Sequence, residues 1–163
     1  MKANEKQIVF RKAANVLTSG LVTIVLCGLT AFTQTPGVIS QPVMTEYKSV
    51  KIGTGADEVR DKLGKAEIDD EDGFYYRFSD EEFVQIRIDT NNKVHLISVT
   101  YSGENAPKFT DVFGEETKAE AKPDGSVYRL VRYPKVGYWV AYSRTAGEKP
   151  TITVTMQKLQ VVE

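Results

Sequence analysis

The sequence predicts an α+β fold of two tandem helix-β-β-β units, whose strands form one antiparallel sheet with short helices packed on one face. Three observations lead to it. The pattern of residues 59–64 recurs at 109–114, each copy opens on a helical apolar stripe closed by glycine, and each then changes to runs in which apolar and polar residues alternate.

Ahead of the repeats, Lys2, Lys6, Arg11 and Lys12 make a basic start, and an apolar run over residues 16–32 ends at Gln34-Thr35-Pro36-Gly37. A positive flank, an apolar stretch and a break describe a signal peptide or, uncut, a membrane anchor. The positive flank stays on the cytoplasmic side and sends the remainder across. Residues 1–33 are therefore expected to export the chain to the cell envelope, membrane-anchored or periplasmic, or to secrete it. Cys27, the one cysteine, is preceded by Leu26, where a lipoprotein signal has a small residue. It reads as an apolar membrane residue. Residues 34–49, rich in Thr, Pro, Gly, Ser and Gln, read as a linker. The tandem domain spans 50–163, with repeat 1 at 50–103 and repeat 2 at 104–160.

In repeat 1, Thr54 is expected to cap a helix, with Asp57 three residues on and Ala56, Val59 and Leu63 along one face. Gly64 supplies the left-handed turn that ends it. Phe74, Tyr76 and Phe78 then alternate with Tyr75 and Arg77, and Val84, Ile86 and Ile88 alternate with Phe83, Gln85 and Arg87. Asn91-Asn92 makes a turn into a third strand over 94–101. In repeat 2, Asn105 is the expected cap, Pro107 suits the first turn, Phe109, Val112 and Phe113 form the stripe, and Gly114 closes it. Strands are expected over 127–133, 136–142 and 151–159. The repeats align as Val59-Arg60-Asp61-Lys62-Leu63-Gly64 with Phe109-Thr110-Asp111-Val112-Phe113-Gly114. Downstream, Asp72-Gly73 aligns with Asp124-Gly125, Tyr76-Arg77 with Tyr128-Arg129, and Val84 with Val136. Hairpin-linked strands imply antiparallel pairing.

Catalytic equipment is not apparent. The repeats hold no cysteine, so they offer no disulfide, thiol nucleophile or thiolate metal site. His95 is the only histidine and stands mid-strand between Val94 and Leu96, without a motif that would make it a catalytic or metal-binding group. No G-x-S-x-G, H-E-x-x-H or Walker-type sequence occurs. Asp69-Asp70-Glu71-Asp72-Gly73 and Asp80-Glu81-Glu82 lack the spacing of a calcium loop and read as solvated turns. A formal net charge of -1 gives no basic field for nucleic acid. The expectation is a non-enzyme with no catalytic residue, no metal, no small-molecule cofactor and no nucleic-acid partner.

The functional lead is the sheet face away from the helices. If these cover Tyr76, Val84, Ile86 and Ile88, the other face shows Tyr75, Arg77, Phe83, Gln85 and Arg87, and by the repeat alignment Arg129 and Trp139. Aromatic rings and guanidinium groups are favoured at protein interfaces. Tyr75, Arg77, Phe83, Arg87, Arg129 and Trp139 are the expected protein-binding residues.

The stretch Val50-Lys51-Ile52-Gly53-Thr54-Gly55-Ala56-Asp57-Glu58-Val59-Arg60-Asp61-Lys62-Leu63-Gly64, followed by Tyr-bearing and apolar strands, resembles the SmpA/OmlA (BamE-like) family. It is also similar to the tandem helix-then-sheet units of β-lactamase inhibitory protein. That family usually has Pro two residues after the closing glycine, where this chain has Ala66. The resemblance implies a non-enzymatic protein-binding role in the envelope, as an outer-membrane assembly or scaffold component. The alternative is a secreted inhibitor that occludes an enzyme with its sheet face.

Overall fold

The structure, a computed structural model, describes residues 42–160. The expected signal peptide or anchor at 1–33, Cys27 and the first part of the linker lie outside the described residues. Among the described residues no helix is long and apolar enough to cross a membrane. The elements run α1 (Ala56–Leu63), β1 (Ile68–Asp70), β2 (Gly73–Ser79), β3 (Glu82–Ile88), β4 (Val94–Ser102), α2 (Phe109–Phe113), β5 (Val127–Tyr133), β6 (Tyr138–Arg144) and β7 (Thr151–Lys158). One sheet contains all seven strands in the order β1-β2-β3-β4-β7-β6-β5, every pair antiparallel. Two three-stranded meanders, β2-β3-β4 and β5-β6-β7, thus abut through their last strands.

The fold is mainly β, which corrects the expected α+β class with a helix layer. The helices have eight and five residues, and their buried side chains are only Ala56 and Val59, and Val112 and Phe113. Helices this short do not hold by themselves. Loop residues Tyr47, Val50 and Ala66 share the cover with them, and most of the core comes from the strands. The apolar stripes in the sequence are real, but each supplies one turn or two and not a layer.

Strand pairing arranges the core face in transverse rows. Tyr76, Val84, Val99, Val154, Tyr142 and Arg129 are successive cross-strand partners from β2 to β5. Phe74, Ile86, Ile97, Met156, Val140 and Val131 form the next row. The first row corrects the repeat alignment, since Arg129 and not Tyr128 occupies the position equivalent to Tyr76. A slip of one residue turns every side chain to the opposite face. Val136 likewise is no partner for Val84. It lies in the β5–β6 turn, where the Val136 and Gly137 amides both donate to the Tyr133 carbonyl, and β6 begins at Tyr138 rather than 136.

The caps also differ. Gly55 is the N-cap of α1, while the Thr54 hydroxyl accepts a 3.0 Å bond from the Lys51 amide. Lys108, not Asn105, caps α2, and the Asp111 carboxylate accepts from its amide at 2.8 Å. Gly64 and Gly114 end the helices as expected, each donating its amide to the carbonyl four residues back. The linker expected through residue 49 is shorter. Tyr47 and Val50 are buried and exchange backbone bonds of 2.9 and 2.8 Å, and the Tyr47 hydroxyl donates to Glu82 Oε1 at 2.7 Å.

Two buried polar atoms in repeat 2, Arg129 Nε and the Tyr133 hydroxyl, have no hydrogen-bond partner. Tyr133 is 1% exposed, and its hydroxyl has no hydrogen-bond partner in the structure. Burial pushes this phenol up from 10.0 to about 12, with Tyr138 adding to the rise and Arg129 opposing it. The folded state therefore holds the proton more tightly than the unfolded chain. The associated stability is complete below pH 10 and declines as pH rises towards about 12. Tyr133→Phe removes the orphaned hydroxyl and is expected to raise the unfolding free energy by about 1 kcal/mol at pH 8. It should also flatten the alkaline decline. Urea unfolding at pH 8 and pH 11 measures both, and a loss of stability in the variant would mean that the hydroxyl is satisfied.

Candidate functional site

Alternation along each strand fixes what the second face of the sheet shows. While Phe74, Tyr76, Val84, Ile86, Ile97, Val99, Val140, Tyr142, Val154 and Met156 are buried, their neighbours are half-buried or exposed, Gly73 and Ala141 excepted. Register sorts those neighbours into three rows across six strands. Gly73, Arg87, Leu96, Gln157, Trp139 and Arg132 are successive partners, as are Tyr75, Gln85, Ser98, Thr155, Ala141 and Leu130. Arg77, Phe83, Thr100, Thr153, Ser143 and Tyr128 make the third.

The two meanders meet on this face in a seam of hydroxyls. Ser98 Oγ and Thr155 Oγ1 are 3.0 Å apart, and Thr100 Oγ1 and Thr153 Oγ1 are 3.3 Å apart. Cross-strand Ser/Thr pairs of this kind stabilise a sheet modestly and leave hydroxyl groups available to a ligand. Aromatic and basic residues flank the seam. On one side the Arg77 guanidinium lies 5.0 Å from the centroid of the Phe83 ring, and Tyr75 and Arg87 stand beside them. Tyr75, Phe83, Gln85, Ser98 and Thr100 line a shallow recess of ≈ 390 Å³. On the other side Trp139 is paired across strands with Arg132. Tyr75 on β2 and Trp139 on β6 are four strand spacings apart, about 19 Å.

Five of the six expected binding residues, Tyr75, Arg77, Phe83, Arg87 and Trp139, share this open face. Arg129 does not. It lies on the core face opposite Tyr142, where Nη1 donates to Glu120 Oε1 at 2.9 Å and Nε is buried without a partner. Tyr128, Leu130 and Arg132 occupy the open face of β5 instead, and Tyr128 is 51% exposed. The signal that places them is parity with Tyr133, the buried end of β5. Taken as inward, Tyr133 carries Arg129 and Val131 inward with it.

The other chemical candidates have structural work. His95 is the extra residue of a bulge, because Arg87 pairs with Leu96 and Ile88 with Val94. Asp70 Oδ1 accepts the amides of Asp72 at 3.0 Å and Gly73 at 3.1 Å, which shapes the β1–β2 turn. Asp69 takes two 2.8 Å bonds from the Arg60 guanidinium, and that hydrogen bonding holds its carboxyl below the usual value. Among the described residues no three His, Cys, Asp or Glu side chains converge so as to hold a metal ion.

Comparison with protein-family models, with curated proteins and with solved structures finds no match for this chain.

Proposed function

We propose that this chain is a non-catalytic binding module of the cell envelope that grips a protein partner on the open face of its sheet. The observation that carries the reading is that face itself: three rows across six strands, with Tyr75, Phe83, Tyr128 and Trp139 interleaved with arginines and each of them half-buried or exposed. Aromatic and arginine side chains on a backbone already fixed by strand pairing offer contact area at little further entropic cost. The basic start and apolar run of residues 1–33 support export and a membrane or periplasmic location. The resemblance of residues 50–64 to the SmpA/OmlA family supports a scaffold role in envelope assembly.

Affinity capture from envelope fractions tests the reading. Trp139→Ala and Arg87→Ala are each expected to weaken partner capture about tenfold or more, as truncation of central interface anchors does. Full-strength capture by both variants would remove this face from the account.

A further inference from the structure

The open face is sorted by charge, and the sorting says what kind of partner fits. The chain is nearly neutral, with 21 Lys and Arg against 22 Asp and Glu. The three rows nevertheless hold three arginines, Arg77, Arg87 and Arg132, with no lysine and no carboxylate. The nearest acids stand at the rim. Asp70 on edge strand β1 continues the Gly73–Arg87 row, Asp72 lies 3.5 Å from Arg87 and partly neutralises it, and the Glu81 carboxylate lies against Gly103. Arg77 and Arg132 have no carboxylate within ion-pair distance among the described residues.

Each of the two is set next to an aromatic ring, Arg77 over Phe83 and Arg132 across from Trp139. A guanidinium held against a ring, as that of Arg77 is, keeps its fork of N–H donors directed at an incoming oxygen anion, and the planar fork of either arginine matches a carboxylate in a bidentate pair. Between the two stand the hydroxyls of Ser98, Thr100, Thr153 and Thr155, which can bond to a peptide's polar groups. Arg77 on β2 and Arg132 on β5 are five strand spacings apart across the sheet, about 24 Å, and two rows apart along it, about 13 Å more in that direction. Two isolated cations at that separation fit discrete carboxylates. A phosphodiester chain, with a charge at every residue, would want a continuous basic track.

We propose that the open face docks an acidic polypeptide surface, with carboxylates seated on Arg77 and Arg132. This rests on the binding-face reading above and adds to it the chemistry of the partner. The aromatic and basic groups are complementary to such a surface, and the rim acids narrow the favourable approach to the centre of the sheet.

Trp139 is the only tryptophan in the chain, so its fluorescence reports on this face alone. Poly-L-glutamate added to the full chain is expected to change the Trp139 emission saturably, and poly-L-lysine is not. Raising the salt from 50 to 500 mM should weaken the effect. The double variant Arg77→Glu, Arg132→Glu, with unchanged circular dichroism, should bind at least about tenfold more weakly. Lys51→Glu with Lys62→Glu, on the helix-bearing side of the sheet, should bind as the parent does.

The inference fails if the emission does not respond, or if the off-face variant loses as much affinity as the double variant. It fails also if an oligothymidylate or an anionic lipid vesicle binds more tightly than poly-L-glutamate. The two readings separate in cells. A partner crosslinked to Thr155 whose capture survives the arginine reversals overturns the acidic chemistry and leaves the binding face standing. The absence of any crosslink to the face overturns both.

Discussion

Replacing Ile86 with alanine is expected to lower the unfolding free energy by about 2–5 kcal/mol, among the largest losses available to a conservative truncation in this chain. Ile86 is 0% exposed and sits mid-strand in β3, between Phe74 on β2 and Ile97 on β4. Met156 and Val140 continue the same row into the second meander. Strand pairing on both sides fixes the backbone of these neighbours, so they can close only part of the space that the lost carbons leave. The residual cavity adds to the lost transfer energy. The control is the next residue, Arg87, whose side chain points to the open face and is exposed. Arg87→Ala should cost under about 1 kcal/mol. Urea midpoints for the two variants read the difference, and near-equal losses would mean that the faces of β3 are assigned the wrong way round.

Gly73→Ala is the second large effect, expected to remove about 2–4 kcal/mol through steric overlap and backbone strain. Gly73 begins β2 with φ 139, directly after the turn shaped by Asp70. A Cβ there would overlap the carbonyl oxygen of Ile86 and reach within 2.9 Å of the Arg87 Cα. Both obstacles are backbone of the paired strand, so relief requires β2 to move away from β3. Gly125, which the sequence aligns with Gly73, has φ 83 but nothing within 4 Å of an added Cβ. Gly125→Ala should therefore cost only the conformational term, about 1–2 kcal/mol. Comparable losses at the two positions would contradict the close approach at Gly73.

Repeat 1 is legible from its residues because its strands alternate without ambiguity. Phe74 and Tyr76, then Val84 and Ile86, leave one reading of what faces inward, and the structure buries all four. The β5 segment offers no such choice. Val127, Arg129, Val131 and Tyr133 are about as apolar as Tyr128, Leu130 and Arg132, and the alignment of Tyr76-Arg77 with Tyr128-Arg129 selects the parity that the sheet does not use. That alignment puts Arg129 on the open face and gives Arg132 no place there. The helices mislead in another way. An apolar stripe shows that a helix has a buried side, but not that five residues of helix amount to a structural layer.

Two features carry almost no local signal. Strand β1, Ile68–Asp70, contains two aspartates, which are poor strand formers, and it exists because a tight turn lays it against Phe74 and Tyr75. The β4–β7 pairing joins residues about fifty to sixty positions apart, and so does the hydroxyl seam that it creates at the centre of the open face. Alternation identifies which side of each strand is polar. Only the register shows that Ser98 meets Thr155 and that Tyr75 and Trp139 belong to one surface.

The most direct test of the account is site-specific photocrosslinking in intact cells, with the crosslinker placed at Thr155 on the open face and, separately, at Asp61 on the exposed side of α1. Thr155 is paired with Ser98 at the seam, whereas Asp61 belongs to the opposite, helix-bearing side of the sheet. The account predicts a discrete adduct with one partner from Thr155 and none of comparable yield from Asp61. An adduct formed from Asp61 and not from Thr155 would contradict it.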